Sequence, residues 1–439
     1  MLKNRAGLLK LNETSAMQLM LLSRQFSMIL LAVFFAKRYA VSDIGMVESL
    51  QFLLATLSVF WLNGILQWFL PAYHRFEEND RPALLWRVTF LLSFLAVLLS
   101  VVVFSFKPAI FRFFLHSSPF EFLGIFLVYA LLMLPSYFLE YVLYVDGKFR
   151  KLVVVALLTL FFQNLPVFFG FDLPTVFAVW ALIAGLRVLY LLFSLPNFSG
   201  SSVGELRNTF ILTLPLIVYA LISQWAATYN SWLVNYLYKG DLFTFTIFRY
   251  GARELPLALS LATGLSAAMS GAISRNMEEG LQMLKKKSEE LMHLLFPFTI
   301  VLLLTSNWWF PFVFSGNLSD AVIIFDIFLL LVVSRMLFPQ SVALALGENR
   351  ALLWISVAEL LVNMLLSFFL ATDYGLVGIA LGTLLAYLAE KFMIAAWLGW
   401  RHQLALSRYT SLRWFFAYSG LIVVVFIIKY ACIHTFVWI

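Results

Sequence analysis

Charged residues are scarce in this chain, and their scarcity indicates its class. Asp, Glu, Lys and Arg make up 12% of the 439 residues, whereas 62% are hydrophobic; soluble proteins average about a quarter charged residues. The composition excludes an ordinary soluble protein and predicts an all-α polytopic membrane protein. The net charge is +7, but the basic residues lie between apolar blocks instead of forming one stripe, so we expect no nucleic-acid partner.

Residues that usually carry chemistry are also missing. The single cysteine, Cys432, excludes an internal disulfide and a cysteine-based metal cluster. None of the five histidines has a partner at metal-ligand spacing on one helix face, and there is no P-loop or glycine-rich nucleotide motif. We therefore expect no metal, no cofactor, no catalytic residue and no enzyme activity.

Long apolar segments dominate the sequence instead. A helix needs about 20 apolar residues to cross a hydrocarbon core of about 30 Å, and we predict thirteen spans. None has the cleavage site of a secretory signal, so we expect the first helix to stay in the mature protein. The predicted spans are 13–36, 43–71, 86–106, 119–145, 152–170, 175–195, 208–236, 242–273, 291–313, 320–345, 351–371, 375–398 and 413–436.

Lys and Arg are distributed unevenly over the two sides of these spans. If the N-terminus is cytoplasmic, nineteen of them, Arg187 included, fall in cytoplasmic loops. The opposite side then has only five, which are Lys37, Arg38, Lys107, Arg112 and Lys239. The positive-inside rule therefore predicts a cytoplasmic N-terminus, and the odd number of spans predicts a periplasmic C-terminus.

The two halves of the sequence resemble each other at an offset of 199 or 200 residues. Six helices lie between equivalent points, so both halves enter the membrane in the same direction, and such a parallel repeat predicts two pseudo-symmetric six-helix lobes with substrate bound between them. We predict lobes at 1–200 and 201–400, divided near the Gly- and Ser-rich loop 196–207, with a cytoplasmic linker and an extra helix in 401–439. The matching pairs are Gln25 and Gln224, Gly64 and Gly264, Arg75 and Arg275, Gly147 and Gly347, and Asn164 and Asn363.

Three stretches of the sequence have motifs typical of one family, and they are "KRYAVSDIGMVESLQ" (37–51), "FRYGARELPLALS" (248–260) and "QSVALALGENRALLWISVAELLVNMLLSFFLATDYGLVGIALGTL" (340–384). The longest stretch has Gly347 and Arg350 in an inward turn, Asn363 in the next helix, and "YGLVGIALGT" opening the helix after it. In these features the sequence resembles the polysaccharide exporters and O-antigen flippases of the multidrug, oligosaccharidyl-lipid and polysaccharide exporter superfamily. A thirteenth helix departs from the twelve or fourteen of that superfamily.

The resemblance implies a V-shaped transporter of the bacterial inner membrane. Its two lobes would open alternately and flip a polyprenyl-diphosphate-linked oligosaccharide to the outer leaflet, for O-antigen or other lipopolysaccharide assembly. The implied partners are that glycan, membrane lipids and other polysaccharide-assembly proteins. In such flippases, arginines on helices one, two and eight hold the anionic head group. Arg24, Arg249 and Arg253 match helices one and eight, whereas helix two offers polar residues such as Asn63.

The depths of these arginines agree with that role. Arg24 lies eleven residues into the first span, and Arg253 eleven residues into the eighth from the other side, so straight helices put both roughly 17 Å deep. Arg249 lies one turn outward of Arg253. Guanidinium groups suit a diphosphate because their planar fork donates two aligned hydrogen bonds. The alternative is a fixed ion pair in which Glu254 or Glu48 neutralises Arg249 or Arg253.

Other polar residues in the spans have two readings each. Asp326, Glu359 and Glu390 could form a cation or proton site for ion coupling; alternatively, Asp326 lies at the lipid interface and Glu390 pairs with Lys391. We expect Arg335 to pair with Glu359. The amides Gln25, Gln224, Asn63 and Asn230 are candidates for binding sugar hydroxyls, or they could join helices by hydrogen bonds.

Three other functions stay open. A multidrug antiporter of the same superfamily would need acidic residues in the first lobe, and the first span has none beyond Glu13 at its inner end. A membrane enzyme of glycan assembly would show a sizeable outward loop or a His or Asp cluster, and neither is visible. A non-transporting scaffold would tolerate the loss of Arg24 and Arg253.

Overall fold

The computed structural model describes residues 13–197 and 203–436, and every regular element within those ranges is a helix. The predicted all-α class is confirmed. Short 3-10 helices lie at Gly316–Ala321 and Leu406–Arg408. The α-helices are α1 Glu13–Arg38, α2 Val41–Arg75, α3 Arg81–Ser105, α4 Lys107–Phe114, α5 Leu123–Ser136, α6 Phe138–Val145, α7 Phe149–Phe168, α8 Leu173–Ser194, α9 Val203–Leu237, α10 Leu242–Gly251, α11 Pro256–Arg275, α12 Met277–Val313, α13 Val322–Leu329, α14 Val332–Arg335, α15 Pro339–Ala345, α16 Asn349–His402 and α17 Leu412–Phe436.

Most of these helices have the length and composition of membrane spans. Among the described residues, eleven helical segments can cross a membrane, or twelve if the bent pair Glu205–Leu214 and Leu216–Leu237 counts as one span. Large apolar side chains point outward, and Phe193, Trp308 and Phe312 are at least 79% exposed. Water disfavours so much apolar surface, whereas lipid tails solvate it. The chain is therefore a multi-pass membrane protein, as predicted.

The longest helix, α16, is a hairpin. At its middle Gly375 has φ 57° and ψ −133°, a conformation that only glycine adopts readily. A Cβ atom on Gly382 would lie 2.5 Å from the backbone nitrogen of Ser367, although straight helix would separate these residues by about 22 Å. The two arms therefore pack antiparallel, and α16 accounts for two predicted spans. A count of thirteen is reached only if both arms and the bent pair are counted.

The predicted span 242–273 is wrong as a single helix. It forms α10 and α11, which are separated by residues 252–255. A residue before proline is disfavoured in helical conformation, and Leu255, which precedes Pro256, is accordingly extended with ψ 110°. Arg253 therefore lies in a helix break, so its depth cannot be read from a straight helix.

The predicted span 320–345 is also interrupted. A 3-10 turn, α13, α14 and α15 follow one another across it, with residues 330–331 and 336–338 between helices. The second break lies directly before Pro339, which cannot donate a backbone hydrogen bond to a continuing helix. The segment that is long and apolar enough to cross a membrane here is Gly316–Arg335.

The chain forms two compact units. The first comprises the residues up to Thr228 together with Asn235–Phe245; the second comprises Tyr229–Val234 and the residues from Thr246 onward. Most of α9 belongs to the first unit, so the compact units divide the chain later than the predicted boundary between residues 200 and 201.

Two turns show the internal repeat in atomic detail. Gly147, with φ 67°, follows α6, and Gly347, with φ 77°, follows α15. Each glycine amide donates to the carbonyl three residues earlier, Tyr144 at 3.0 Å and Leu344 at 3.1 Å. A left-handed glycine closes a helix in this way. Since the equivalent residues are 200 apart, both halves make the same turn at the same place.

Candidate functional site

A buried charge cluster joins three helices of the first unit. Oε2 of Glu140, in α6, accepts a hydrogen bond from the guanidinium group of Arg24 in α1. Oε1 of the same carboxylate accepts from Nη2 of Arg187 in α8, at 2.9 Å. Both guanidinium groups lie over the ring of Tyr137, with centroid distances of 4.6 Å for Arg24 and 5.7 Å for Arg187, a cation–π geometry. We call Arg24, Glu140 and Arg187 the arginine cluster.

The break between α5 and α6 positions this cluster. Pro135, the next-to-last residue of α5, cannot donate a backbone hydrogen bond, and α6 begins after Tyr137. At the break the carbonyl of Ser136 is available and accepts from Nη2 of Arg187 at 3.3 Å. Glu140 lies in the first turn of α6, where the helix dipole favours a negative charge.

The arginine cluster has one positive charge in excess, because two guanidinium groups share one carboxylate. The side chain of Glu140 is 2% exposed and that of Arg187 is 10% exposed, whereas that of Arg24 is 34% exposed. Arg24 is therefore the most exposed member of the arginine cluster. Nε of Arg187 is buried without a hydrogen-bond partner among the described residues.

The arginine cluster lies well inside the apolar helices. Glu140 is five residues from the end of α6, and Arg187 is seven residues from the end of α8, so they lie about 8 and 11 Å from those ends. These are the ends that the positive-inside pattern predicts to be cytoplasmic. The positive-inside pattern therefore predicts that the cluster lies between the cytoplasmic side and the middle of the membrane.

Two members of the arginine cluster, Arg187 and Glu140, are not among the site residues predicted from the sequence. The prediction that Arg187 lies in a cytoplasmic loop is wrong, because this residue lies inside α8 and is 8% exposed. Glu140 has no predicted role, although an ionisable residue in an apolar run marks a functional site by default. The position of Glu140 in an apolar run is therefore the sequence signal that could have identified it, just as it identified Arg24.

In the second unit, Glu254 and Arg335 form an ion pair. Glu254, in the break before α11, forms a two-bond ion pair with Arg335 of α14: Oε1 lies 2.5 Å from Nε, and Oε2 lies 2.8 Å from Nη2. The ring of Tyr387 lies 5.2 Å from the same guanidinium group. The predicted pairing of Arg335 with Glu359 is therefore wrong, and Glu254 neutralises Arg335 instead of a neighbouring arginine.

Arg249 and Arg253 belong to different local structures. Arg249 lies in the last turn of α10, whereas Arg253 lies in the following break. The predicted one-turn helical spacing between them is therefore wrong. The guanidinium group of Arg253 lies 4.5 Å from the ring centroid of Tyr250, which is fully buried. An aromatic face thus supports this arginine at the break.

Asp326 has two partners on the last helix, α17. Its Oδ2 accepts from Nζ of Lys429 at 2.5 Å and from the hydroxyl of Tyr430 at 2.6 Å. Nζ of Lys429 also donates to the Leu303 carbonyl at 2.8 Å and to the Ser306 hydroxyl at 2.5 Å. Asp326 is fully buried, so the alternative that it lies at the lipid interface is wrong.

Glu359, Glu390 and Lys391 form a separate polar group in α16. Glu390 pairs with Lys391 at 2.8 Å, the simpler of the two readings of Glu390. Nζ of Lys391 also donates to Oε1 of Gln340 at 3.3 Å. Glu359 is buried within electrostatic range of Glu390 and Lys391. Asp326 and Glu390 therefore pair with different lysines.

The internal repeat shows how the two units differ at equivalent positions. Gln340 lies 200 residues after Glu140, and Tyr387 lies 200 residues after Arg187. Gln340 contacts Lys391 and Tyr387 contacts Arg335. The equivalent positions are therefore polar, but they contain neither a carboxylate nor a guanidinium group. The arginine cluster is specific to the first unit.

One of the four predicted amide ligands has a hydrogen-bond partner on another helix, and the other three are exposed or partly exposed. Nδ2 of Asn230 donates to the hydroxyl of Thr383 at 2.7 Å, so this side chain joins α9 to α16. Gln25 and Gln224 are partly exposed, and Asn63 is exposed. Within residues 13–197 and 203–436, no group of three or more His, Cys, Asp or Glu could hold a metal ion.

Comparison with known proteins identifies the fold. The sequence matches no family model and no characterised protein. The structure is similar to that of the lipid II flippase MurJ in an inward closed conformation, with 16% identity, a TM-score of 0.70, and 94% of this chain and 93% of that chain covered.

Two transporters of the MATE family are also similar. An inward-facing multidrug resistance MATE transporter of the MOP superfamily has 12% identity and a TM-score of 0.65, over 88% of this chain and 96% of that chain. A mutant of the Vibrio cholerae MATE transporter VcmN has 16% identity and a TM-score of 0.60, over 89% and 95%. The structure therefore has the same fold as these transporter structures, as the resemblance implied.

Proposed function

We propose that this protein flips a polyprenyl-diphosphate-linked oligosaccharide from the inner to the outer leaflet of a bacterial inner membrane, for the assembly of a surface polysaccharide such as O-antigen. The observation that carries the proposal is the arginine cluster. An excess positive charge inside membrane-spanning helices, with Arg24 a third exposed, is the arrangement that an anionic head group would complement.

The energetics support a functional role for this charge. A charge at the centre of a membrane costs from roughly 3 to above 10 kcal/mol, so charges there are rare and are usually paired or functional. Glu140 balances only one of its two arginines. A diphosphate would balance the second, and the planar guanidinium fork of Arg24 can donate two aligned hydrogen bonds to it. No bond is broken in such a movement, so the protein needs no catalytic group.

The fold supports the same proposal. A lipid II flippase has this fold over 93% of its length, so the fold is compatible with a lipid-linked cargo. We propose alternating access as the mechanism, with a cytoplasmic N-terminus and a periplasmic C-terminus from the positive-inside pattern. Arg249 and Arg253 of the second unit, and the amides Gln25, Gln224, Asn63 and Asn230, are the further proposed contacts to the head group and sugars.

Ion coupling is a separate part of the proposal. Asp326 is paired with Lys429, and Glu390 is paired with Lys391. Glu359 is the remaining candidate of the three for binding a proton or cation, because a buried intramembrane carboxylate of this kind often serves in transporters.

A multidrug antiporter is the second candidate, because MATE transporters share the fold. A cationic drug needs an available carboxylate in the site. In the arginine cluster the Glu140 carboxylate is already bound by two guanidinium groups, and the charge presented there is positive. This observation favours an anionic cargo over a cationic one.

The test is depletion of the protein followed by mass spectrometry of the lipid-linked glycans on each leaflet. We expect one such glycan to accumulate on the inner leaflet, and complementation by the wild type to remove it. Arg24→Ala should fail to complement while still reaching the membrane. Arg87→Ala is the matched control, because Arg87 is paired with Glu205 at 3.0 Å elsewhere in the first unit. Increased drug sensitivity without glycan accumulation would favour the antiporter.

A further inference from the structure

We propose that Glu140 is a resident counter-ion for Arg24, and that the phosphate of the cargo displaces it while Arg187 holds it in place. Binding is then an exchange of one anion for another at a single guanidinium group. This inference rests on the proposed function and specifies how the head group is admitted.

The two carboxylate oxygens of Glu140 have separate partners, which makes the exchange possible. Oε2 binds Arg24, whereas Oε1 binds Arg187. The bond to Arg24 can therefore break without disturbing the bond to Arg187. The short α6 fixes the position of the carboxylate, since Glu140 lies in its first turn and is 2% exposed.

The three residues differ in how strongly the protein holds them. Nη2 of Arg187 donates to both the Glu140 carboxylate and the Ser136 carbonyl, and its side chain is 10% exposed. Arg24 is 34% exposed, and its bonded partner in the cluster is Glu140. An incoming phosphate can therefore reach Arg24 but not the other two side chains.

Charge balance explains why Arg187 is needed. With Arg24 bound to phosphate, Glu140 would be a lone buried carboxylate, which is strongly unfavourable, but Arg187 still neutralises it. Without cargo, Glu140 keeps Arg24 from being an unpaired intramembrane cation. In both states each arginine and the Glu140 carboxylate therefore have a partner of opposite charge.

The exchange predicts opposite effects for two neutralising substitutions. Glu140→Gln removes the competitor, so Arg24 should bind phosphate more tightly. Arg187→Gln leaves Glu140 with Arg24 alone, so the competitor is held more firmly and cargo binding should weaken. A residue with a purely structural role would weaken binding in both cases. Charge-assisted hydrogen bonds of this kind correspond to changes of about tenfold or more in affinity.

The experiment measures binding of farnesyl diphosphate to the purified full-length protein in detergent, with farnesol as the uncharged control ligand. We expect Glu140→Gln to bind about tenfold more tightly than the wild type, Arg187→Gln about tenfold more weakly, and Arg87→Gln equally. Farnesol binding should not change. Equal or weaker binding by folded Glu140→Gln would overturn the exchange.

A double variant keeps the proposal testable if Glu140→Gln alone does not fold. Removing both members of a buried pair is tolerated better than removing one, so Arg187→Gln with Glu140→Gln should fold. It should bind farnesyl diphosphate at least tenfold more tightly than Arg187→Gln alone, because Glu140 no longer competes. Equal affinities would refute the exchange. If Arg24→Ala left binding unchanged in the wild-type background, the proposed function itself would fail.

Discussion

At the residue scale, three carboxylates in the two units form ion pairs with cationic side chains. Glu140 binds two arginines, Glu254 binds one, and Asp326 binds a lysine. Since an unpaired charge in an apolar interior costs several kcal/mol, each partner is present to offset the other. Removing one member of a pair should therefore cost much more than removing both, which is how an ion pair is distinguished from a simple packing contact.

The Glu254–Arg335 pair provides the first prediction. Arg335→Met leaves a carboxylate without its two-bond partner and should lower the free energy of unfolding by about 3 kcal/mol. Adding Glu254→Gln to Arg335→Met should restore most of that loss. The measurement is the thermal unfolding midpoint of the purified protein in detergent. If the double variant were less stable than the single one, the pair would have no energetic coupling.

A pH effect is predicted outside the spans, at the turn before α16. A hydrogen bond from His402, at 2.8 Å, lowers the pKa of Glu348 below its usual value of 4.5, and a second from Trp397 acts in the same direction. A lowered pKa stabilises the fold above pH 4.5, and this contribution is lost as the pH falls through the lowered value.

Glu348→Gln tests this effect. Thermal midpoints of the variant and the wild type should differ near neutral pH, and the difference should shrink steadily on acidification below about pH 4.5. Glu78→Gln is the control, because Glu78 is an exposed surface residue in the loop after α2. A difference that stays constant with pH would mean that the ionised Glu348 does not stabilise the turn.

At the element scale, charged residues and helix breaks coincide. Glu140 follows the break at Tyr137, Arg253 and Glu254 lie in the break before Pro256, and Arg335 ends α14. A broken helix offers free backbone carbonyls and lets a side chain leave the regular helical direction, which membranes tolerate only where protein surrounds the break. The breaks therefore create the polar positions that the charged side chains occupy.

The hairpin of α16 gives the prediction at this scale. Gly375→Ala should destabilise the protein by about 1–3 kcal/mol, because a Cβ atom strains the conformation that reverses the chain. Gly271→Ala in α11 is the control, since no atom lies within 4 Å of its added Cβ, and it should be neutral or slightly stabilising. Thermal unfolding in detergent compares the two. Equal midpoints would contradict the strain argument.

Sequence reasoning succeeded where local composition decides the structure. Long apolar runs identified the helices, and the glycines at 147 and 347 marked equivalent turns. It failed where distant residues choose partners. Nothing near Arg335 in the sequence indicates Glu254, which lies 81 residues earlier. Depths counted along straight helices also failed at Arg253, because Pro256 breaks the helix there. Pairing across the fold depends on packing that the local pattern does not encode.

At the scale of the whole molecule, the two units differ in how their buried charged side chains are paired. The first has an excess positive charge in its arginine cluster, whereas in the second Glu254 pairs with Arg335, Asp326 with Lys429 and Glu390 with Lys391. Gln340 and Tyr387 stand at the repeat positions of Glu140 and Arg187. The two halves of the chain therefore share the same turns but differ in the charged residues at equivalent positions.

The last helix gives the prediction at this scale, because a buried ion pair joins it to the rest of the second unit. Lys429→Met should destabilise the protein by about 3–5 kcal/mol, since it leaves Asp326 as an unpaired buried carboxylate. Lys151→Met, at an exposed position in the first turn of α7, should have little effect. Adding Asp326→Asn to Lys429→Met should recover much of the loss. Unfolding midpoints that stay unchanged in Lys429→Met would show that α17 is held by apolar packing alone.

The same ion pair has a consequence for biosynthesis. The ribosome makes Asp326 more than a hundred residues before Lys429, so the nascent chain enters the membrane with an acid whose base does not yet exist. We expect a polypeptide interrupted in that interval to be recognised by membrane proteases and degraded quickly. A pulse-chase comparison of chains ending before and after Lys429 would measure this, and the rescue of the shorter chain by Asp326→Asn would identify the unmatched carboxylate as the signal.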